Sequence, residues 1–358
     1  MRFWEFSIMN LIKGLILQVG ILLFASSFLL AEFTIGLYGV KTSSDIVSAK
    51  EAGFNCVQSY ISEPATINIL AEEALKNDMK LVVYPTKIMS SKYKDAAKKY
   101  PIKAWYLFDE PDVWSCSREK LLALEKNTKK KYPDIPTVFV IGEGFTKVPY
   151  YDISDILMVD WYPVPHLPLE SFGENVALAK QGLIMMEKEK KELWAVVQIF
   201  DWKEYKQYRK DDDRIGRFPK KEEIRFMSYD AILNGANGLF YFTCYSGGKP
   251  LPESRPKDWA KVVEVIQEMS FVGEIIDNGK EIENPVEIKE PLKARSFEYG
   301  GIKYTFIINP TSQKQTLPTL FFQPQFDVMY EKSTNIKKIM SKSKKNFQPY
   351  TVFSFRYE

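Results

Sequence analysis

The chain has 358 residues, 45% of them hydrophobic, enough for a sizeable core in one large domain with a small one beside it. Forty-nine lysines and arginines face 46 acids, a net charge of +3 that calls for no polyanionic partner such as nucleic acid. With one histidine (His166) and three cysteines (Cys56, Cys116, Cys244), no CxxC pair and no ligand-like spacing, the sequence calls for no metal site and no cofactor, and allows at most one internal disulfide.

Residues 1–31 stand apart from the fold. Arg2 and Lys13 precede an apolar run, Gly14 to Ala31, that reads as a secretory signal or an uncleaved anchor. No cysteine follows the run, which excludes a lipoprotein anchor. The expectation is an exported protein, periplasmic or extracellular, that touches a membrane only if this segment stays attached.

Strand-like and helix-like segments then alternate. Phe33–Val40 reads as a first strand, and SSDIVSAKEAG as a serine-capped helix ending at Gly53. Phe54–Tyr60 and Lys80–Pro85 read as the second and third strands, each followed by a helix; the helix after the third is lysine-rich. The fourth strand, AWYLFDEP, runs onto two adjacent carboxylates, Asp109 and Glu110, and is broken by Pro111. Ser117 caps an amphipathic helix. Thr137–Gly142, Ile156–Val164, Trp194–Trp202 and Gly238–Tyr245 supply strands five to eight. Helices fall at about 170–190, 220–235 and 258–271. A long polar loop, EYKQYRKDDDRIGRFP, follows strand seven.

Eight continuous apolar strands interleaved with helices over residues 32–280 predict an α/β fold, a (β/α)₈ barrel. A doubly wound sheet fits less well, because no glycine-rich phosphate turn follows the first strand. Residues 284–358 change character. VEIKEPLKARSFEYGGIKYTFIINPT reads as a hairpin turning at Gly300-Gly301, and further β-rich segments predict a small antiparallel domain. The lysine cluster Lys337–Lys345 reads as a solvated loop.

In such a barrel, chemistry gathers at the carboxyl ends of the strands. Strand four offers Asp109 and Glu110. Strand six offers Asp160, Trp161 and Tyr162. Strand seven offers Gln198, Asp201 and Trp202, and strand eight Tyr241, Thr243 and Tyr245. Tyr38 and Tyr60 end the first two strands. Acids and aromatic rings are what sugar chemistry uses: a carboxylic acid protonates the leaving oxygen, and flat apolar ring faces carry the sugar. Trp161, Tyr162, Trp202 and Tyr245 are expected to line one surface near Glu110, with Tyr38, Tyr60 and Gln198 as further substrate contacts.

The strand-four DEP, the strand-six MVDWYP and the segment RFPKKEEIRFMSYDAILNGANGLFYF resemble (β/α)₈ glycoside hydrolases, particularly poorly characterised hydrolase-like proteins. The trailing β domain resembles their accessory domain. The resemblance implies an oligo- or polysaccharide substrate. In the clan with catalytic glutamates on strands four and seven, Glu110 matches the proton donor. The second glutamate has no match, for Gln198 stands in that region. β-Hexosaminidase-like and chitinase-like enzymes are similar in using acids on strand four, where the substrate's acetamido group attacks. By that likeness Glu110 is the acid and Asp109 orients the acetamido group, with Tyr162 or Tyr245 as helper. The alternative makes Asp160 the base or nucleophile opposite Glu110. A carbohydrate-binding barrel without hydrolysis is the competing reading, since an amide at Gln198 is no nucleophile.

Overall fold

In the computed structural model eight parallel strands close into a barrel, β1 hydrogen-bonding to β8. They are β1 (Thr34–Leu37), β2 (Cys56–Ser59), β3 (Lys80–Val83), β4 (Ile102–Asp109), β5 (Thr137–Ile141), β6 (Ile156–Asp160), β7 (Glu192–Gln198) and β8 (Gly238–Phe242). The structure describes residues 32–142, 150–208, 216–330 and 346–358. The apolar segment 14–31 and the lysine cluster 337–345 lie outside the described residues. Among the described residues no helix is long and apolar enough to cross a membrane.

The helices are α1 (Ser43–Ala52), α2 (Pro64–Lys76), α3 (Arg118–Lys131), α4 (Ser171–Met185), α5 (Lys221–Leu233) and α6 (Pro256–Asn278). Their ends follow local chemistry. Thr42, not one of the serines, caps α1: its hydroxyl accepts from the Asp45 amide while the Asp45 carboxylate accepts from the Thr42 amide. Ser117 caps α3 as expected. Three elements differ from the sequence reading. The lysine-rich stretch after β3 makes two short helical turns, Thr86–Met89 and Ala96–Lys99, because the Ser-Ser step at 90–91 interrupts it. Between β5 and β6 no α-helix lies among the described residues. Helix α6 runs 23 residues, straight through Gly273, on which the Phe33 ring lies too close to admit a Cβ.

Two apolar cores result. The outer one fills the space between strands and helices. The inner one fills the barrel with Tyr38, Val82, Tyr106, Val140, Met158, Val196 and their neighbours, and includes Trp194 stacked on Phe240 at 5.2 Å. Alternation along each strand assigns residues to one core or the other, so the inner set identifies the side chains that point into the barrel.

After α6 comes a five-stranded sheet, antiparallel throughout. Its central strands are Lys293–Tyr299, Ile302–Asn309 and Thr351–Tyr357. The hairpin turns at Gly300 and Gly301, with φ of 61° and 78°. The sheet has its own aromatic core, with Phe321 stacked on Phe355 at 4.6 Å. Buried polar contacts join it to the barrel helices. Arg225 on α5 donates to Val352 O and to both carboxylate oxygens of Glu268 on α6, and Tyr229 bridges Glu268 and Ser354.

Candidate active site

The ends of β4 and β6 place three carboxyls together. The β4–β5 pairing shifts register between Tyr106 and Asp109, and Glu110 adopts a φ of 46°. In a regular strand Asp109 and Glu110 would point to opposite faces. The bulge turns Asp109 inward, where Tyr106 donates to it at 2.5 Å and Tyr60 at 3.3 Å. The left-handed backbone at Glu110, uncommon for a residue with a side chain, brings its carboxyl toward β5 and β6. Room for it exists because β5 is followed by Gly142. A Cβ there would stand 2.8 Å from Glu110 Oε1.

Asp160 ends β6 and is only 6% exposed. Tyr162 donates to its Oδ2 at 3.0 Å. Its Oδ1 is buried without a donor from another side chain or the backbone. The Glu110 carboxyl acts on Asp160, raising it by its charge and by favouring its protonated form. Two buried acids that act on each other in this way favour the state in which one of them carries the proton.

No lysine or arginine makes an ion pair with Asp109, Glu110 or Asp160 among the described residues. No cation among the described residues therefore offsets their burial. Asp160 is held well above the usual carboxylate range, by desolvation first and then by the charges of Glu110 and Asp109. Glu110 is raised by desolvation, partly offset by Asp160, with Asp109 pushing it further up. Asp109 is raised by burial, against the two tyrosine hydroxyls that favour its charged form. The site is a cluster of acids poised to hold protons.

Aromatic rings surround it. Tyr38, Tyr60, Tyr84 and Tyr106 come from the ends of β1, β2 and β3 and the body of β4, and lie ring to ring at 5.2–6.4 Å. Across the mouth, Tyr162 packs with Phe200, Trp202 and Phe242, and Tyr205 packs with the last three. Tyr84, Tyr106, Gly142, Phe242 and Trp114 escape the sequence reading. Trp114, in the turn after β4, is 54% exposed, and its indole favours the charged form of Glu110.

Other expected residues stand elsewhere. Trp161 faces the outer core and donates its indole N–H to Ser171 of α4. Tyr245 lies in a small hairpin beyond β8, bonded to Asp45 and covered by Lys41. Of the four rings expected near Glu110, Tyr162 and Trp202 are therefore the pair brought to one wall. Gln198 is fully buried, its amide spent on the backbone of Val164 and Phe200. Asp201 caps the turn at Lys203 and faces Arg255 at 3.9 Å. The three cysteines are buried and unbridged. Among the described residues no group of three His, Cys, Asp or Glu side chains could hold a metal ion.

No family model matches the chain, and no curated protein matches it in sequence. Solved structures do match in fold. A family 39 glycoside hydrolase from the gut symbiont Bacteroides cellulosilyticus WH2 aligns with a TM-score of 0.54 at 12% identity, over 92% of this chain and 81% of that one. A family 5 glycoside hydrolase from Bacteroides vulgatus ATCC 8482 gives 0.53 at 11% identity, over 83% and 80%. Amy13B of Eubacterium rectale gives 0.53 at 9%, over 92% and 96%. The protein thus resembles (β/α)₈ glycoside hydrolases, and at these identities the likeness is one of fold.

Proposed function

We propose that this protein hydrolyses a glycosidic bond, with Glu110 as the general acid. One observation carries the reading: three carboxyls at the barrel mouth, ringed by aromatic side chains, with no cation among the described residues to neutralise them. A carboxylic acid kept protonated near neutral pH is what leaving-group departure requires. Burial and Asp109 both raise Glu110 in that direction.

The mutual effect of Glu110 and Asp160 bears on the second group. Retaining enzymes hold their two carboxyls roughly 5–5.5 Å apart and inverting ones roughly 6.5–9.5 Å, with sugar or water between. Asp160 instead acts on Glu110 directly, each carboxyl shifting the other's hold on its proton. Asp160 is therefore read as Glu110's proton partner, not as a base on the far face of the sugar. That leaves the substrate's own acetamido group as nucleophile, oriented by Asp109, which Tyr60 and Tyr106 fix in place. Substrate assistance is a recognised exception to the two-carboxylate rule. An exported protein, as the N-terminal apolar run suggests, would meet polysaccharide outside the cytoplasm. A binding barrel without hydrolysis is the second reading. It is favoured by the end of β7, where Gln198 is tied to the backbone and Asp201 faces Arg255.

Release of reducing sugar and of an aryl leaving group from a panel of glycosides, by wild type and Glu110→Gln, separates the two. Hydrolysis that Glu110→Gln abolishes for poor leaving groups supports the first. Sugar binding with no turnover by wild type supports the second.

A further inference from the structure

A (β/α)₈ barrel has two ends, and this one divides its charge between them. The mouth holds the acids Asp109, Glu110 and Asp160. The other end, where strands begin and helices finish, is rich in lysine. Residues 92–103 and 126–134 carry nine lysines and two acids. The net charge of the whole chain, only +3, conceals this division.

The two stretches make one patch. The turn Ala96–Lys99 leads directly into β4, and α3 finishes just before β5, the strand paired with β4. The Tyr132 hydroxyl, at the end of α3, donates to Lys94 O at 3.0 Å. Asp95 is held below the usual carboxylate range by Lys98 first, and also by the charges of Lys131 and Lys94. Lys98 pairs with Asp95 at 3.2 Å, and Lys129 with Asp155 at 2.8 Å. Lys94, Lys99, Lys126 and Lys130 are exposed and make no ion pair among the described residues.

Helix dipoles do not account for so many cations. A base in the last turn complements the negative end of a helix. Among the described residues α1 and α2 carry one such base each, Lys50 and Lys76, and α4, α5 and α6 carry none. Helix α3 carries three, and the turn before β4 two more.

A second observation bears on what this end meets. Strand β1 begins at Thr34, so the chain enters the barrel at the lysine-bearing end, directly after the apolar run that closes at Ala31. We infer that this end docks on an anionic phospholipid bilayer, its lysines against the lipid phosphates and the mouth turned away. An apolar run that stays attached brings the bilayer to this end, and lysines within a Debye length of anionic lipid are drawn to it. Paired signals of this kind, one apolar and one basic, hold a protein on a membrane more firmly than either alone. The inference does not depend on the glycosidase reading.

The test is lysine footprinting of the full chain. Protein in phosphatidylcholine vesicles, and in vesicles that also contain phosphatidylglycerol, is acylated with a water-soluble N-hydroxysuccinimide ester and read by peptide mass spectrometry. Lys94, Lys99, Lys126 and Lys130 should react about fivefold more slowly on the anionic vesicles, the factor one lysine contributes at such a surface. Lys220, which opens α5, and Lys249, in the hairpin beyond β8, are exposed at the mouth end and should react alike on both. High salt should erase the difference. In the triple variant Lys94→Glu, Lys99→Glu, Lys130→Glu, Lys126 should react equally on both vesicles while the melting curve stays at wild type. Equal rates for all four lysines of the wild type on the two vesicles would overturn the inference. So would protection by soluble polygalacturonate without protection by anionic vesicles, which would give the patch to an acidic polysaccharide.

Discussion

Two regions bury acids, in opposite ways. At the seam between the barrel helices and the β sheet, Glu268 is 5% exposed and receives both Arg225 and Tyr229. At the barrel mouth, Asp160 is equally buried, yet among the described residues its charged company is other acids. A buried charge with a good partner is costly to disturb and contributes chiefly to structure. A buried acid surrounded by acids instead keeps its proton, at a cost that folding alone does not explain. The difference separates where this molecule is held together from where it can act, and it does so without reference to any relative.

The largest effect expected from breaking the contrast is at the mouth. Glu110→Gln should lower turnover on glycosides with poor leaving groups by roughly 10²–10⁴, the range for general acid catalysis, and much less where an activated aryl group departs unprotonated. Asp109→Asn should fall with it on acetamido sugars, while melting curves of both variants stay near wild type.

At the seam the same kind of change should do the reverse. Glu268→Gln leaves the Arg225 guanidinium buried without its counter-charge, costing about 3–5 kcal/mol. The unfolding free energy from denaturant titration should drop by that amount, and activity per folded molecule should stay unchanged.

Asp230, on α5, lies between these extremes. It is fully buried, accepts from the Gly173 amide, and has Lys293 of the β sheet only at 3.9 Å. Burial lifts its pKa to about 7. The folded state therefore binds this proton more tightly than the unfolded one, whose pKa is near 3.8. Stability associated with it is present below pH 4 and is lost as pH rises toward 7, by at most about 4 kcal/mol. Asp230→Asn should flatten the stability profile across that window.

The smallest effect belongs to Tyr106→Phe. Its hydroxyl favours the charged form of Asp109, so losing it should move the acidic limb of the rate profile to higher pH. Folding stability should change by only about 1 kcal/mol, the worth of a typical hydrogen bond.

Much of this was legible in the sequence. Parallel strands covered on both faces must be continuous apolar runs, and acids that follow such runs fall at the mouth. Asp109, Glu110 and Asp160 could be found that way. Alternation also carried information: if Asp160 points inward, Trp161 must point outward, as it does. Tyr84 and Tyr106 lie inside apolar strand segments, where nothing marks a single ring as belonging to the mouth. The usable signal was the recurrence of tyrosine at or near the ends of the first four strands. Trp114 follows a proline in a turn with no period, so its exposure depends on the hydrogen bonds of that turn. Gln198 gave no sign that its amide would be consumed by the backbone beside a neighbouring strand.

The central claim is that the unpaired carboxyls at the mouth share a proton. Carboxyl carbon-13 NMR titration of side-chain-labelled protein reads this directly, without a substrate. Wild type should show Asp160 protonated well above the usual carboxylate range and Glu110 titrating late. In Glu110→Gln, Asp160 should titrate at lower pH than in wild type, because one negative neighbour is gone, and still above an ordinary aspartate, because burial remains. If Asp160 and Glu110 both titrate as ordinary surface carboxylates, or if Asp160 is unmoved by Glu110→Gln, the proton-sharing pair does not exist.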